Sequence, residues 1–286
     1  MQTGTSRRSF IAGSCAVAAQ VAMGEVGKAS GGLRVKFLGT GAADWLGPRK
    51  EPKELRRWTS VLIDRRVLID FTNNSLDLLG EDRPEDCFYT HSHDDHYDPP
   101  AALKAGVKRV YVHESWREDA AREFAAAAKK AECEPSEVRP VRIGETYEEA
   151  GVRFMPLPAN HLTDRRHEQS CIYLVVKGGK RMLYATDTSG IPQKALDLAG
   201  YLDLIVMEAT IGQRQEEDYR IFEHSTVEQV LHSVRALAKT GAYRGPADRP
   251  VYLTHLARTL HPCQAELDRT LPAPLRAAYD GLEVVL

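Results

Sequence analysis

Five side chains able to bind a metal crowd six consecutive positions: His91, His93, Asp94, Asp95 and His96, inside Phe88-Tyr-Thr-His-Ser-His-Asp-Asp-His-Tyr-Asp98. Imidazole nitrogen and carboxylate oxygen suit Zn, Mn or Fe, and the donors alone do not choose among these. Alternate residues of an extended chain point the same way, so His91 and His93 can grip one ion together. The chain must then turn, which lets Asp95 and His96 face a second ion. Three more polar residues end apolar runs: His161 after Phe154–Pro158, Asp187 in Leu183-Tyr-Ala-Thr-Asp187, and His255 after Val251-Tyr-Leu-Thr254. His91 follows Cys87-Phe-Tyr in the same manner. Ligands at the C-terminal ends of strands are what an α/β architecture uses to build a site.

The rest of the chain supplies elements to carry them. Leu33–Leu38 alternates with period two and reads as a half-buried strand. Val61–Ile63 and Val67–Ile69 flank Asp64-Arg65-Arg66 and predict a hairpin. Arg109–Val112, Val152–Met155, Cys171–Val176, Arg181–Tyr184, Leu202–Met207, Val251–Leu253 and Leu282–Leu286 read as further strands, with Lys177-Gly-Gly-Lys180 as a turn. Ser115-Trp-Arg-Glu118 and Ser225-Thr-Val-Glu228 read as capping boxes, opening helices that reach Ala131 and Lys239. Cys263–Leu271 predicts a helix. Gly39-Thr-Gly41 lacks the third glycine of a dinucleotide fingerprint and reads as a tight turn beneath the site.

Composition excludes several classes. The 286 residues hold 38 Lys+Arg against 40 Asp+Glu, and 43% of them are hydrophobic. That balance argues against a dedicated nucleic-acid or membrane-surface binder, and the apolar share argues against a disordered chain. No Cys-x-x-Cys pair is present, and Cys87 and Cys171 sit in apolar runs as small hydrophobes. Residues 1–30 read apart from the rest. Arg7-Arg8-Ser-Phe-Ile leads into a small-residue apolar run from Ile11 to Met23, with no acid before Glu25. The run is too short to span a bilayer and resembles a twin-arginine export signal. Its removal would leave 35 basic against 39 acidic residues and all ten histidines. The expected organisation is therefore a leader and joint at 1–30 and one domain at 31–286.

With these residues in view, the chain resembles the metallo-β-lactamase-fold hydrolases from about residue 33 to residue 286. The resemblance rests on His91-Ser-His-Asp-Asp95-His96, with His161, Asp187 and His255 following in the family's order. It implies an α/β fold, a four-layer αβ/βα sandwich with a dinuclear site at one edge. Two divalent ions are implied, with Zn first and Mn or Fe as alternatives. His91, His93 and His161 would hold one ion; Asp95, His96 and His255 would hold the other, with Asp187 bridging. Two dications sharing a water lower its pKa and give hydroxide at neutral pH, which Asp95 can orient or deprotonate. Asp187 argues against a true β-lactamase, and 31 residues after His255 are too few for the helical domain of a glyoxalase II.

Phe37-Leu-Gly-Thr-Gly41, Arg56-Arg-Trp-Thr-Ser60, Leu68-Ile-Asp-Phe71 and Glu223-His-Ser-Thr226 are similar to the ribonuclease Z and phosphoribosyl 1,2-cyclic phosphate phosphodiesterase branch. There, an extra histidine before a helix assists catalysis, and His224 matches it. Arg57, Arg165 and Arg166 are candidates to hold a phosphate by charge-assisted hydrogen bonds, with a solvated loop as the alternative. His113, His232 and His261 read as structural or surface residues. Residues 45–57 lack the cysteines of that branch's structural metal site, and no tRNA-gripping arm is evident. The expected activity is therefore metal-bridged hydroxide attacking a small phosphodiester, such as a cyclic phosphate or nucleotide-like ester. The alternatives are a lactone or other carboxylic-ester hydrolase, and a non-catalytic metal- or ligand-binding relative. The expected partners are a small anionic substrate and the twin-arginine export machinery, with no stable nucleic-acid partner and a homodimer left open. The expected location is periplasmic or extracellular. A folded reporter fused to residues 1–30 is predicted to leave the cytoplasm, and Arg7→Lys with Arg8→Lys to retain it there; cell fractionation reads the outcome.

Overall fold

The computed structural model describes residues 31–245 and 249–286. The expected export signal lies outside the described residues. The first half of the chain builds one sheet from β1 (Arg34–Gly39), β2 (Ser60–Ile63), β3 (Val67–Ile69), β4 (Asp86–Phe88), β5 (Arg109–His113) and β6 (Glu137–Val141). Helices α1 (Pro99–Ala105) and α2 (Arg117–Ala131) fall between its later strands. The second half builds another sheet from β7 (Tyr147–Glu149), β8 (Val152–Pro158), β9 (Cys171–Lys177), β10 (Lys180–Ala185), β11 (Leu204–Glu208), β12 (Val251–Thr254) and β13 (Leu275–Ala277). Helices α3 (Gln193–Ala199), α4 (Val227–Thr240) and α5 (Gln264–Thr270) belong to this half, and β14 (Glu283–Val285) returns to pair with β1. Each sheet has seven strands among the described residues.

Three apolar layers follow from the strand patterns. Phe37, Phe88 and Tyr111 of the first sheet meet Phe154, Tyr173 and Tyr184 of the second in the central layer. Leu62, Cys87 and Val110 turn outward onto Ala102, Ala120 and Phe124 of α1 and α2. Leu183, Ile205 and Leu253 turn the other way, onto Val227, Val230 and Leu267 of α4 and α5. The result is a mixed α/β fold of two sheets between helical layers, the metallo-β-lactamase sandwich. Strands β3 to β6 are parallel, as are β10 to β13. Strand β9 runs antiparallel to both β8 and β10, so β8 points the same way as β10.

Aromatic packing joins the sheets next to the histidine motif. Phe88 stacks on Tyr111 at 4.2 Å and on Phe154 at 4.4 Å, and meets Tyr173 edge-on at 5.6 Å. Each such pair adds about 0.5–1.5 kcal/mol beyond the area it buries. Two hydrogen bonds continue the seam: Cys171 N donates to Thr90 O at 2.9 Å, and the Tyr173 hydroxyl donates to Tyr89 O at 2.8 Å.

Local expectations need three corrections. Ser115 does not cap α2: its hydroxyl pairs with His113 Nδ1 and accepts from Gln169 N, while a 3-10 turn at Glu114–Trp116 feeds the helix. The second capping box is Thr226–Gln229, one residue later than expected. Ser225 instead donates to Thr188 O and accepts from Gly190 N, tying the start of α4 to the loop after β10. Gly39 and Gly41 make no turn of positive φ. They allow close approach: a Cβ on Gly39 would lie 1.8 Å from Trp58 O, and one on Gly41 would lie 2.5 Å from the Trp45 ring. Periodicity also missed the short α1, α3, β6, β7 and β13, where a few residues carry no readable repeat.

His261 is structural, as expected, and buried. Its Nε2 donates to Ala209 O at 2.7 Å. Burial depresses its pKa to about 4, with the nearby Arg56 charge acting the same way. The unfolded chain therefore takes up a proton that the folded chain refuses, so this contribution is intact above pH 6.5 and lost as pH falls towards 4. The loss approaches about 3 kcal/mol. Urea unfolding at pH 7 and pH 4.5 is predicted to show a smaller acid-induced drop in His261→Gln than in the parent protein.

Candidate metal centre

The strand ends that point one way converge on a single edge of the sandwich. Asp70 follows β3, His91 follows β4, His161 follows β8, Asp187 follows β10, Glu208 ends β11 and His255 follows β12. After His93 the chain turns, with the N–H groups of His96 and Tyr97 both reaching His93 O at 2.9 Å. This turn swings Asp95 and His96 inward and leaves Asp94 exposed. Asp70, Asp187 and His255 all adopt positive φ, at 54°, 48° and 53°. Such backbone costs about 1–3 kcal/mol per residue and is retained where the surroundings impose it.

Two triads result. His93 Nδ1 lies 3.0 Å from His91 Nε2 and 3.2 Å from His161 Nε2. Asp95 Oδ2 lies 3.2 Å from His255 Nε2 and 3.5 Å from His96 Nε2. Asp187 stands between them and divides its oxygens. Oδ1 is 3.2 Å from both His96 Nε2 and His255 Nε2, while Oδ2 is 3.7 Å from His91 Nε2 and 3.6 Å from His161 Nε2.

Outer partners fix the rings. Asp70 holds His96 Nδ1 at 2.9 Å, and the hydroxyls of Thr90 and Thr210 sit 2.9 Å and 2.8 Å from His91 Nδ1 and His255 Nδ1. The Glu223 carbonyl is 3.4 Å from His161 Nδ1. Glu168 accepts from the backbone and hydroxyl of Ser92, pinning the loop between His91 and His93. This is how metal-binding histidines are oriented, with the outer nitrogen bonded and the inner one free to coordinate.

The donor set passes a direct test of fit. His91 and His96 are wholly buried, and Asp95, His161, Asp187 and His255 are nearly so. His96 Nε2 has no hydrogen-bond partner among the described residues although Asp187 is at ion-pair distance. Lone pairs brought together in a dry place repel unless a cation or protons lie between them. Burial and the neighbouring His96 push the His91 pKa well down, so its inner nitrogen is a neutral donor. For Asp95 and Asp187, burial alone would favour protonation, but the surrounding histidines outweigh it and hold both well below the usual carboxylate range. These residues are able to bind divalent metal.

His224 adjoins the cluster, its ring 5.1 Å from that of His161 and stacked 5.4 Å from that of His255. Its Nδ1 lies 3.1 Å from Glu208 Oε1 and 3.2 Å from the Thr210 hydroxyl. Burial opposes charge on this ring, but the Glu208 carboxylate prevails and raises its pKa to about 9. Glu208 is wholly buried and also accepts from Thr188 N and from the backbone and hydroxyl of Thr210. Sequence reasoning passed over Glu208 and Asp70. The available signal was position, since both are acids closing apolar strands, as Asp187 nearly does.

The arginines are placed differently. Arg57 pairs bidentately with Asp77 and lies 3.6 Å from Asp280. Arg165 donates to Glu123 and lies over the Trp116 ring. Arg166 is exposed. The first two guanidinium groups are thus already matched by carboxylates.

Asp70→Asn removes the charge that orients His96 while keeping the volume. It is predicted to weaken metal affinity about 10–100-fold, measured by competition with a chromophoric chelator, with the far-ultraviolet circular dichroism unchanged.

No curated protein matches the chain. Among solved structures, a diphosphatase from the PhnP family is 22% identical with a TM-score of 0.66, covering 89% of this chain and 97% of that one. Zn(2+)-bound PqqB from Methylobacterium extorquens is 14% identical with a TM-score of 0.67, covering 88% of this chain and all of the other (100%). The short form of human tRNase Z is 18% identical with a TM-score of 0.60, covering 88% and 98%. Similarity at these identities shows a common fold. Residues 65–256, which include every residue of the two triads, match the family model described as the beta-lactamase superfamily domain. The chain belongs to that family.

Proposed function

We propose that the protein is a dinuclear metal-dependent hydrolase of small phosphodiesters, such as cyclic phosphates or nucleotide-like esters. The observation that carries the reading is His224 beside the two triads, with its Nδ1 on buried Glu208. The names of two similar structures, diphosphatase and tRNase Z, denote phosphate-bond chemistry and support it. His91, His93 and His161 would hold one ion, Asp95, His96 and His255 the other, with one Asp187 oxygen for each. When bound, such ions supply Lewis acidity and lower the pKa of a coordinated water. Zn heads the list because imidazole and carboxylate suit it, with Mn and Fe compatible.

The protein's own groups do the rest. Asp95 offers a carboxylate within the second triad that can orient a nucleophile or accept its proton. Glu208 engages His224 Nδ1 and so leaves Nε2 as the ring atom to donate a proton to a departing alkoxide. Thr210 contacts Glu208, His224 and His255 at once, keeping the proton donor in register with the cluster. With two divalent ions bound the site would be locally positive on a chain of nearly balanced charge, which a small anionic substrate would fit, and residues 1–30 would place the reaction outside the cytoplasm.

Proton donation matters most for a poor leaving group. His224→Ala is predicted to lower kcat about 100–10,000-fold for an alkyl phosphodiester, and far less when the leaving group is p-nitrophenolate, at unchanged metal content. Equal losses on both substrates would remove His224 from that role. Lactone cleavage undiminished in His224→Ala, with no phosphodiester turnover, would transfer the reading to carboxylic esters.

A further inference from the structure

His224 stands outside both triads, yet it is arranged as their members are. One donor atom from each of Asp187, His224 and His255 lies within 4.8 Å of the other two, the same reach that joins the donors of the two triads. The rings of His224 and His255 are stacked 5.4 Å apart and 17° from parallel. Their outer nitrogens share one anchor, the Thr210 hydroxyl, at 3.2 Å from His224 Nδ1 and 2.8 Å from His255 Nδ1. Near-parallel rings held at the same corner by one group carry their Nε2 atoms side by side. Asp187 Oδ1 joins them there, 3.2 Å from His255 Nε2.

His224 is also supported from behind as a metal ligand is. Asp70 Oδ2 lies 2.9 Å from His96 Nδ1, and Glu208 Oε1 lies 3.1 Å from His224 Nδ1. Both carboxylates are wholly buried. Such a carboxylate fixes the ring and makes its inner nitrogen a better donor to a cation. His96 spends that support in the second triad. His224 has the same support and belongs to neither triad. Its side chain is 13% exposed, against 2% for His255 and 0% for His96, so it closes the cluster on the solvent side.

We infer that Asp187, His224 and His255 form an alternative berth for the second ion, exclusive of the one made by Asp95, His96 and His255. A neutral imidazole has one ring nitrogen free to accept, so His255 Nε2 serves one ion at a time. The Asp95 berth brings two carboxylates to a dication and the alternative brings one, so the Asp95 berth fills first and leaves His224 free. An ion in the alternative berth takes the place of the proton on His224 Nε2, and a ring so occupied has no proton to donate. The berth itself needs no substrate; that its occupation switches the protein off rests on the phosphodiester reading.

Zinc affinity, measured by calorimetry with circular dichroism as the check on fold, tests the berth without any turnover. His224→Ala should leave the affinity for the second Zn2+ unchanged in the parent chain. In the background Asp95→Asn with His96→Gln, where the first berth is stripped, the same substitution should weaken that affinity about tenfold or more. Asp95→Asn alone serves as a second background, with a smaller loss in the same direction. No loss from His224→Ala in either background, an equal loss in the parent chain, or a parent chain that binds one Zn2+ overturns the inference. Turnover of alkyl phosphodiesters is scored separately. Its absence in the zinc-loaded parent counts against the phosphodiester reading, whereas a loss of affinity confined to the stripped backgrounds upholds the berth.

Discussion

Asp187 is the point on which the structure turns. One carboxylate, almost wholly enclosed, divides its two oxygens between a triad of histidines and a triad of two histidines and Asp95. Burying such a group is costly unless every neighbour is placed to compensate it. The surrounding order follows from that constraint. Positive φ at Asp70, Asp187 and His255, the fully bonded Glu208, and the threonine hydroxyls at positions 90 and 210 are the means by which charge is kept matched.

The sandwich exists in a form that can meet this demand. Parallel strands in both halves deliver their C-terminal ends to one edge, and the antiparallel β8–β9–β10 run delivers His161 there as well. The aromatic group around Phe88 and the bonds from Cys171 and Tyr173 lock the two sheets beside that edge. Helices α1 and α4 begin close to it, α1 capped by Asp98 and α4 by Thr226. Ser225 links the start of α4 to the Asp187 loop, so packing, capping and the site are one connected arrangement.

Residues that look alike in the sequence have divergent fates. Arg56, Arg57 and Arg165 could each have faced an anion, but carboxylates and carbonyls take them up within the fold. Leu46 and Leu55, beside Arg56 and Arg57, keep an open apolar face. A charged side chain near a site is therefore no guide to substrate contact unless its partners are known.

Much of the centre was legible from residue types and spacing. The His-x-His-x-Asp-His cluster and polar residues closing apolar strands identify the donors, because strand periodicity and donor chemistry are local properties. The four-layer sandwich followed from the family that those residues resemble. Periodicity could not find the short α1, α3 and β13, which hold together only through neighbours distant in sequence. Nor could it find the outer shell of Asp70, Glu208 and Glu168, or tell a capping Ser225 from one that bonds Thr188. Those contacts join residues 16 to 76 positions apart. The sequence by itself determined which atoms could hold a metal; only the tertiary structure decided how they are aimed, because aim depends on the group bonded behind each ring, and chain closure alone brings that group into place.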